Sequence, residues 1–160
     1  MIPSTAPERP QNPEGQIRAA APVIVVGVDG SPTSWDAFDW AAQEARRIGG
    51  RLVAVHVMSS ADPAAAFGVS FDYPDVIEAQ QALVGELKDE AERRGGRRGL
   101  PVGFVSECGD ATHVLIEVAR SAHADLVVVG RSTKALHRLA GSLSHRLTAR
   151  RDAPVVVVVP

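Results

Sequence analysis

Cysteine is almost absent from this chain of 160 residues, in which Cys108 is the single thiol. A lone cysteine excludes a disulfide within the chain, so we expect a reducing compartment, the cytoplasm. No apolar run approaches the length of a membrane-spanning helix, and we expect no membrane partner. The formal net charge of −2 is too small to predict a nucleic-acid partner.

Three motifs of phosphate binding or catalysis are missing as well. The sequence has no Gly-x4-Gly-Lys-Ser/Thr loop, no Gly-x-Gly-x-x-Gly after its first strand and no Gly-x-Ser-x-Gly elbow. No nucleophile, base and orienting acid can be assigned from the spacing, and the histidines have no metal-ligand spacing. We therefore expect that the chain is not an enzyme.

Two parts of the chain differ in composition. Residues 1–21 hold four prolines among polar residues and lack the apolar core of a signal peptide, which predicts a disordered or loosely docked tail. Residues 22–160 have the length of one domain and can bury a core.

Within this domain, short β-branched runs alternate with amphipathic segments. The valine runs are continuous, which is typical of parallel strands buried on both faces. The alternation predicts an α/β fold with an open parallel sheet and helices on both faces. The predicted strands are 22–28, 51–57, 101–108, 126–129 and 155–159, the predicted helices begin near 32, 75, 111 and 142, and 58–74 is a long loop.

Asp29 directly follows the first predicted strand. Ligands of open α/β sheets bind outside the carboxyl ends of the strands, where the strand order reverses. The Asp29 carboxylate can accept hydrogen bonds there from a sugar hydroxyl or an adenine amino group. It can equally be the turn residue of Asp29-Gly30, and both readings stay open at this point.

The segment from Gly130 to Arg151 is basic and contains no acidic residue. Gly130 allows a ligand to approach the backbone, and Gly141-Ser142 opens a helix whose free N–H groups attract phosphate. Because the glycines, the helix start and the charges coincide, we favour an anion site over a solvated basic loop. The basic side chains are Arg131, Lys134, Arg138, Arg146, Arg150 and Arg151, joined by His137 and His145.

Four other prominent residues are predicted to be structural. Cys108 ends an apolar strand and is predicted to be a packed thiol. His56 lies inside an apolar strand and is predicted to be a hydrogen-bonded structural histidine. Trp35 and Trp40 are five residues apart on one helix, which favours helix packing over a shared aromatic platform.

Taken as a set, these segments resemble the universal stress protein family. The resemblance rests on the run Val-Ile-Val-Val-Gly-Val-Asp-Gly-Ser at 23–31, on Leu-Val-Ala-Val-His-Val at 52–57 and on Asp-Leu-Val-Val-Val-Gly at 125–130. It continues through Gly141-Ser142 to Ala153-Pro154 and the terminal valines, and so covers 22–160. It implies the adenine nucleotide alpha hydrolase-like fold, the strand order 3-2-1-4-5 and a regulatory role in the stress response.

The resemblance also implies an adenine nucleotide, ATP or AMP-like, with Mg²⁺ as an accompanying ion. Asp29 and Val57 would contact the adenosine, and Gly130, Gly141 and Ser142 would hold the phosphates. The full set of implied contact residues is Gly27, Asp29, Val57, Val129, Gly130, Arg131, Thr133, Lys134, Gly141, Ser142 and Leu143.

The phosphate loop departs from the family pattern. Thr133 stands where the second glycine belongs, and seven residues separate it from Gly141, where nucleotide-binding members have nine. The β-carbon and the shorter loop can block a triphosphate, and Arg131 and Lys134 can compensate by charge. The alternative is therefore a dimeric structural or interaction protein with a vestigial cleft that does not bind ATP. A slow ATPase is a third reading.

The fifth predicted strand, Val155–Val159, is an edge in the implied order. Its side chains are all apolar, and neither lysine nor an internal proline discourages pairing. We expect a homodimer in which two copies of this strand pair antiparallel about a two-fold axis. The alternative is that the tail or a loop covers the edge.

Overall fold

The computed structural model describes residues 21–58, 74–131 and 143–160. The predicted tail lies outside these ranges except for Ala21, and so does the predicted loop between Met58 and Pro74. Strands and helices alternate along the described residues, close to the predicted bounds. They are β1 Val23–Gly27, α1 Pro32–Ile48, β2 Arg51–Met58, α2 Pro74–Gly96, β3 Val102–Cys108, α3 Ala111–Ser121, β4 Leu126–Gly130, α4 Leu143–Thr148 and β5 Val155–Val159.

The strands form one sheet in the order β3-β2-β1-β4-β5, and every neighbouring pair is parallel. The fold class and the strand order expected from the sequence are thus confirmed. The order places β3 and β5 at the two edges. Strands β2 and β3 are added on one side of β1, whereas β4 and β5 are added on the other side, and open sheets of this kind form their clefts at that switch between β1 and β4.

Both faces of the sheet carry a buried core. On one face α1 and α2 pack over strand residues such as Ile24, Leu52 and Val128. On the other face α3 and α4 contribute Leu115 and Leu147 to a second cluster. Full burial of one such aliphatic side chain stabilises the fold by about 1.5–3 kcal/mol. This two-sided burial explains why the strand sequences are continuous valine runs.

Helix α1 begins and ends where the sequence predicts. The Ser31 hydroxyl caps its start by accepting from the Ser34 N–H at 3.2 Å, and Pro32 occupies the first helical position. Gly49 ends the helix at φ 64°, a left-handed conformation that glycine adopts without strain.

Helices α1 and α2 meet through Trp35. The Arg94 guanidinium of α2 lies 4.8 Å from the centre of the Trp35 ring and donates to Asp39 at 2.9 Å. Trp35 packs on the core as predicted, whereas Trp40 keeps 38% of its surface exposed. Within the ranges described, none of the helices combines the length and the apolar character needed to cross a membrane.

Candidate functional site

The β1–α1 turn is held by the side chain of Asp29. Its Oδ1 atom accepts from the backbone N–H of Ser31 at 2.9 Å and from the Ser31 hydroxyl at 2.5 Å. Gly30 completes the turn at φ 83°, and the Asp29 N–H donates to the Ser34 hydroxyl at 3.3 Å. The turn reading of Asp29 is confirmed, and the carboxylate is thereby held at the exposed end of β1.

His56 fixes the end of β1 from the neighbouring strand. It is 7% exposed, and its Nδ1 lies 3.1 Å from the carbonyl oxygen of Val28. Because a carbonyl only accepts, Nδ1 must carry the proton. The predicted structural role of this histidine is confirmed, and the bond ties the two strands together just below Asp29.

The sheet register brings three predicted site residues to its carboxyl edge. Gly27 pairs with Val55, and Val26 pairs with Val128. Asp29 and Val57 each lie two residues beyond the pair of Gly27 and Val55, and Arg131 directly follows β4. Neighbouring strands lie about 4.8 Å apart, so the three backbones span about 10 Å at the carboxyl edge of the sheet.

Gly130 has a structural reason to lack a side chain. A β-carbon there would lie 2.3 Å from the carbonyl oxygen of Thr33, in the first turn of α1. The close approach expected at this glycine is thus made by the protein's own helix. At Gly27 a β-carbon would be 3.5 Å from Val129 and 3.7 Å from Leu115, which is ordinary contact.

The remaining predicted contact residues divide into three groups. Val129 is 2% exposed and Leu143 packs on the α3 side of the sheet, so both side chains belong to the core. Arg131 is exposed, and its backbone N–H donates to the carbonyl of Val159 at 2.8 Å. The rest of the phosphate loop lies outside the described residues, namely Thr133, Lys134, Gly141 and Ser142.

Two arginines of the basic segment are used within the fold. Arg146 of α4 donates through Nε to the Thr112 hydroxyl at 2.9 Å and also binds the Asp110 carboxylate. Arg150 donates to Asp152 at 2.9 Å. Arg146 and Arg150 are thus paired with acids that lie outside the basic segment, and the predicted anion site rests on Arg131 and Lys134.

These contacts also set the ionisation of their partners. The guanidinium of Arg146, together with the N–H of His113, holds the pKa of the Asp110 carboxyl below its usual value. Hydrogen bonds from Arg150 lower the pKa of Asp152 likewise. The ion pair of Arg146 and Asp110 could not be predicted from the sequence, because 36 residues separate the two along the chain.

Cys108 is exposed, so the prediction of a packed thiol is wrong. It is the last residue of β3, an edge strand, and no other strand of the described residues lies on its far side. Among the residues the structure describes, no three His, Cys, Asp or Glu side chains meet as a group that could hold a metal ion.

Comparison with known proteins gives one consistent family. The model described as "Universal stress protein family" matches residues 22–159. The universal stress protein Rv2005c of Mycobacterium tuberculosis is 35% identical over 139 residues, which cover 86% of this chain and 45% of that protein. The chain thus spans about half the length of the curated relatives that it matches.

Two solved structures combine this fold with more than a quarter of identical residues. A universal stress protein in complex with cAMP superposes with a TM-score of 0.68 at 26% identity, over 89% of this chain and 99% of that one. A universal stress protein family member of Burkholderia pseudomallei gives 0.66 at 27% identity, over 86% and 95%.

Proposed function

The chain belongs to the universal stress protein family, and we propose that it binds an adenine nucleotide as a regulatory ligand at the carboxyl ends of β1, β2 and β4. The observation that carries the proposal is the parallel register of β1 with β2 and β4, whose carboxyl ends bring Asp29, Val57 and Arg131 to the same edge of the sheet. It sets a carboxylate, an apolar side chain and a cation in a row at the point where strand order reverses.

Each of the three residues suits one part of a nucleotide. The carboxylate of Asp29 can accept hydrogen bonds from ribose hydroxyls or from an adenine amino group. Val57, partly buried on the α3 side, offers an apolar contact to the base. The exposed guanidinium of Arg131 can pair with a phosphate. The related protein solved with cAMP supports the assignment of an adenine ligand.

We infer that a single phosphate group fits this chain better than three. Thr133 replaces the second glycine of the family's phosphate loop, and that loop is short. A β-carbon at this place narrows the room for a triphosphate. If ATP binds, its phosphate oxygens would supply ligands for Mg²⁺. We further propose that the bound nucleotide is not hydrolysed, since the sequence offers no assignable water-positioning group.

We also propose that the chain forms a homodimer through β5. Val155 is 64% exposed and Val158 is 40% exposed, and both lie on an edge strand. None of the large exposed apolar side chains in the described ranges lies on β3, the other edge. Exposed valine on an open edge favours pairing with a second copy.

A second function remains, in which the dimer acts as an interaction module and the cleft is vestigial. The replacement at Thr133 favours it, and the exposed β5 edge is common to both functions. In either case we expect the protein to act in the cytoplasm, as its single unpaired thiol suggests.

Mass spectrometry of the small molecules released from freshly purified protein tests the proposal. We expect an adenine nucleotide in the wild-type extract and much less of it from Asp29→Asn protein purified in parallel. Extracts that contain no nucleotide, or equal amounts from both proteins, would favour the interaction module.

A further inference from the structure

Exposed arginines collect at the end of the sheet where the strands begin. Arg46 lies in the last turn of α1, Arg51 is the first residue of β2, Arg97 follows α2 and Arg151 precedes β5. In a parallel α/β fold, strands begin and covering helices end at the same edge. These four residues, the arginine pole, therefore lie opposite the proposed nucleotide cleft.

Other arginines at this end are already neutralised. Arg47 pairs with Glu44 at 2.5 Å, and Asp152 takes both Arg120 at 2.5 Å and Arg150 at 2.9 Å. By contrast, the side chains of the arginine pole are exposed and form no ion pair within the part of the chain that the structure describes.

Neither helix dipoles nor the chain's own tail accounts for the unpaired positive charge of the arginine pole. A cation in the last turn of a helix is stabilised by the dipole, which explains Arg46, but Arg51 and Arg97 lie outside the helices. The residues before β1 are joined to this same pole. They contain two glutamates, Glu8 and Glu14, and two arginines, so they bring no net negative charge.

We propose that the arginine pole binds a carboxylate-rich segment of another protein. Arg97 precedes β3 and Arg151 precedes β5, the two edge strands, so with neighbouring strands about 4.8 Å apart the pole extends over about 20 Å. An extended peptide presents side chains to one side every ~7 Å, and about three carboxylates would face this row. The planar guanidinium of arginine binds a carboxylate with two parallel hydrogen bonds, which favours arginine over lysine for such a partner.

The same surface suits nucleic acid less well. Single-stranded nucleic acids are held by aromatic side chains on which bases stack. The aromatic side chains of the described ranges belong to α1 and β3, and none lies among the arginines of the pole.

Fluorescence anisotropy with two labelled probes tests the proposal. The probes are a 15-residue peptide of alternating Glu and Ser and a 15-nucleotide RNA without secondary structure. The test variant replaces the pole by Arg46→Gln, Arg51→Gln, Arg97→Gln and Arg151→Gln. A matched control lowers the net charge equally on exposed residues of α2, by Ala79→Glu, Gln80→Glu, Gln81→Glu and Lys88→Gln.

We expect wild type to bind the acidic peptide at about 50 mM salt and to release it as salt approaches about 300 mM. The pole variant should bind about tenfold more weakly, the combined effect of four exposed pairs, whereas the control should change affinity less than threefold. Circular dichroism should report the same fold for all three proteins.

Three outcomes would overturn the proposal. The first is an equal loss of peptide binding in the pole variant and the control, which would mean that net charge alone explains the binding. The second is tighter binding of the RNA than of the peptide. The third is salt-sensitive assembly of wild type beyond a dimer that the pole variant abolishes, which would make another copy's acidic surface the occupant.

Discussion

The backbone N–H of Arg131 donates to the carbonyl oxygen of Val159 at 2.8 Å. In a β-strand the N–H and C=O of one residue point to the same side, and successive residues alternate. The backbone N–H and C=O groups of Val155, Val157 and Val159 therefore face β4. Those of Val156 and Val158 face the outer edge of the sheet. Pro154 and Pro160 fall at outward-facing positions too, where their missing N–H breaks no bond to β4.

This alternation predicts opposite results for two neighbouring proline substitutions. Val158→Pro removes an outward donor and spares the bonds to β4, so it should give a folded monomer. Val157→Pro removes a donor to β4 and should lower the free energy of unfolding by about 3 kcal/mol. Light scattering measures the mass, and urea denaturation measures the stability. If Val158→Pro protein keeps the mass of a dimer, the dimer does not form through β5.

The two glycines near the cleft should differ in their tolerance of a methyl group. Gly130→Ala places a β-carbon against the Thr33 carbonyl, and we expect a loss of about 1–3 kcal/mol in the free energy of unfolding. Gly27→Ala meets only ordinary contacts and should change it by less than about 1 kcal/mol. Urea denaturation compares them, and equal losses would mean that the approach of α1 to β4 is not what requires glycine.

Two substitutions at Asp29 separate its role in the turn from its role toward a ligand. Asp29→Asn keeps an oxygen that can accept from Ser31, so the stability should change little. Asp29→Ala loses that acceptor and should be less stable by about 1 kcal/mol. Both should weaken nucleotide binding by about 1–3 kcal/mol, since each loses the charged acceptor for the ligand. Calorimetry measures the affinity for the nucleotide. If Asp29→Asn protein binds as tightly as wild type, the negative charge of Asp29 does not contribute to binding.

The ion pair between Asp110 and Arg146 predicts an acid-sensitive term in stability. Because the pKa of Asp110 is lowered in the folded state, its stabilisation is present above the unfolded pKa of about 4 and is lost as pH falls through the folded pKa. Asp110→Asn retains a capping oxygen for α3 but lacks the charge. The free energy of unfolding of this variant should be lower than that of wild type by less than about 1 kcal/mol at pH 7, and the difference should vanish at acid pH.

A double-mutant cycle provides the control for this pair. Arg146→Gln should lower stability at neutral pH, and the combination with Asp110→Asn should cost less than the sum of the two changes. Urea denaturation at several pH values measures all four proteins. Strict additivity at neutral pH would mean that the two side chains do not stabilise each other.

The sequence predicted the elements whose signals are local. Ser31 with Pro32 marked the start of α1, Gly49 marked its end, and the valine runs marked strands buried on both faces. These features follow from backbone sterics and from burial periodicity, which neighbouring residues determine.

What the sequence did not predict concerns relations between distant parts of the chain. Cys108 looked buried because its strand is apolar, but the exposure depends on β3 being an edge. Nor does any local signal show that a β-carbon at Gly130 would meet the carbonyl oxygen of Thr33, which lies almost a hundred positions earlier in the sequence. The pairing of Arg146 with Asp110 likewise depends on the fold. Only three-dimensional packing carries such information.

The central claim is that the carboxyl edge around Asp29, Val57 and Arg131 binds an adenine nucleotide, and isothermal titration calorimetry tests it most directly. Wild-type protein should be stripped of bound ligand and titrated with AMP, cAMP, GMP and ATP with Mg²⁺. We predict saturable heat for AMP or cAMP with a dissociation constant below about 1 mM, weaker binding of ATP and none of GMP. Folded protein that gives no heat with any adenine nucleotide would contradict the account and leave the interaction module in its place.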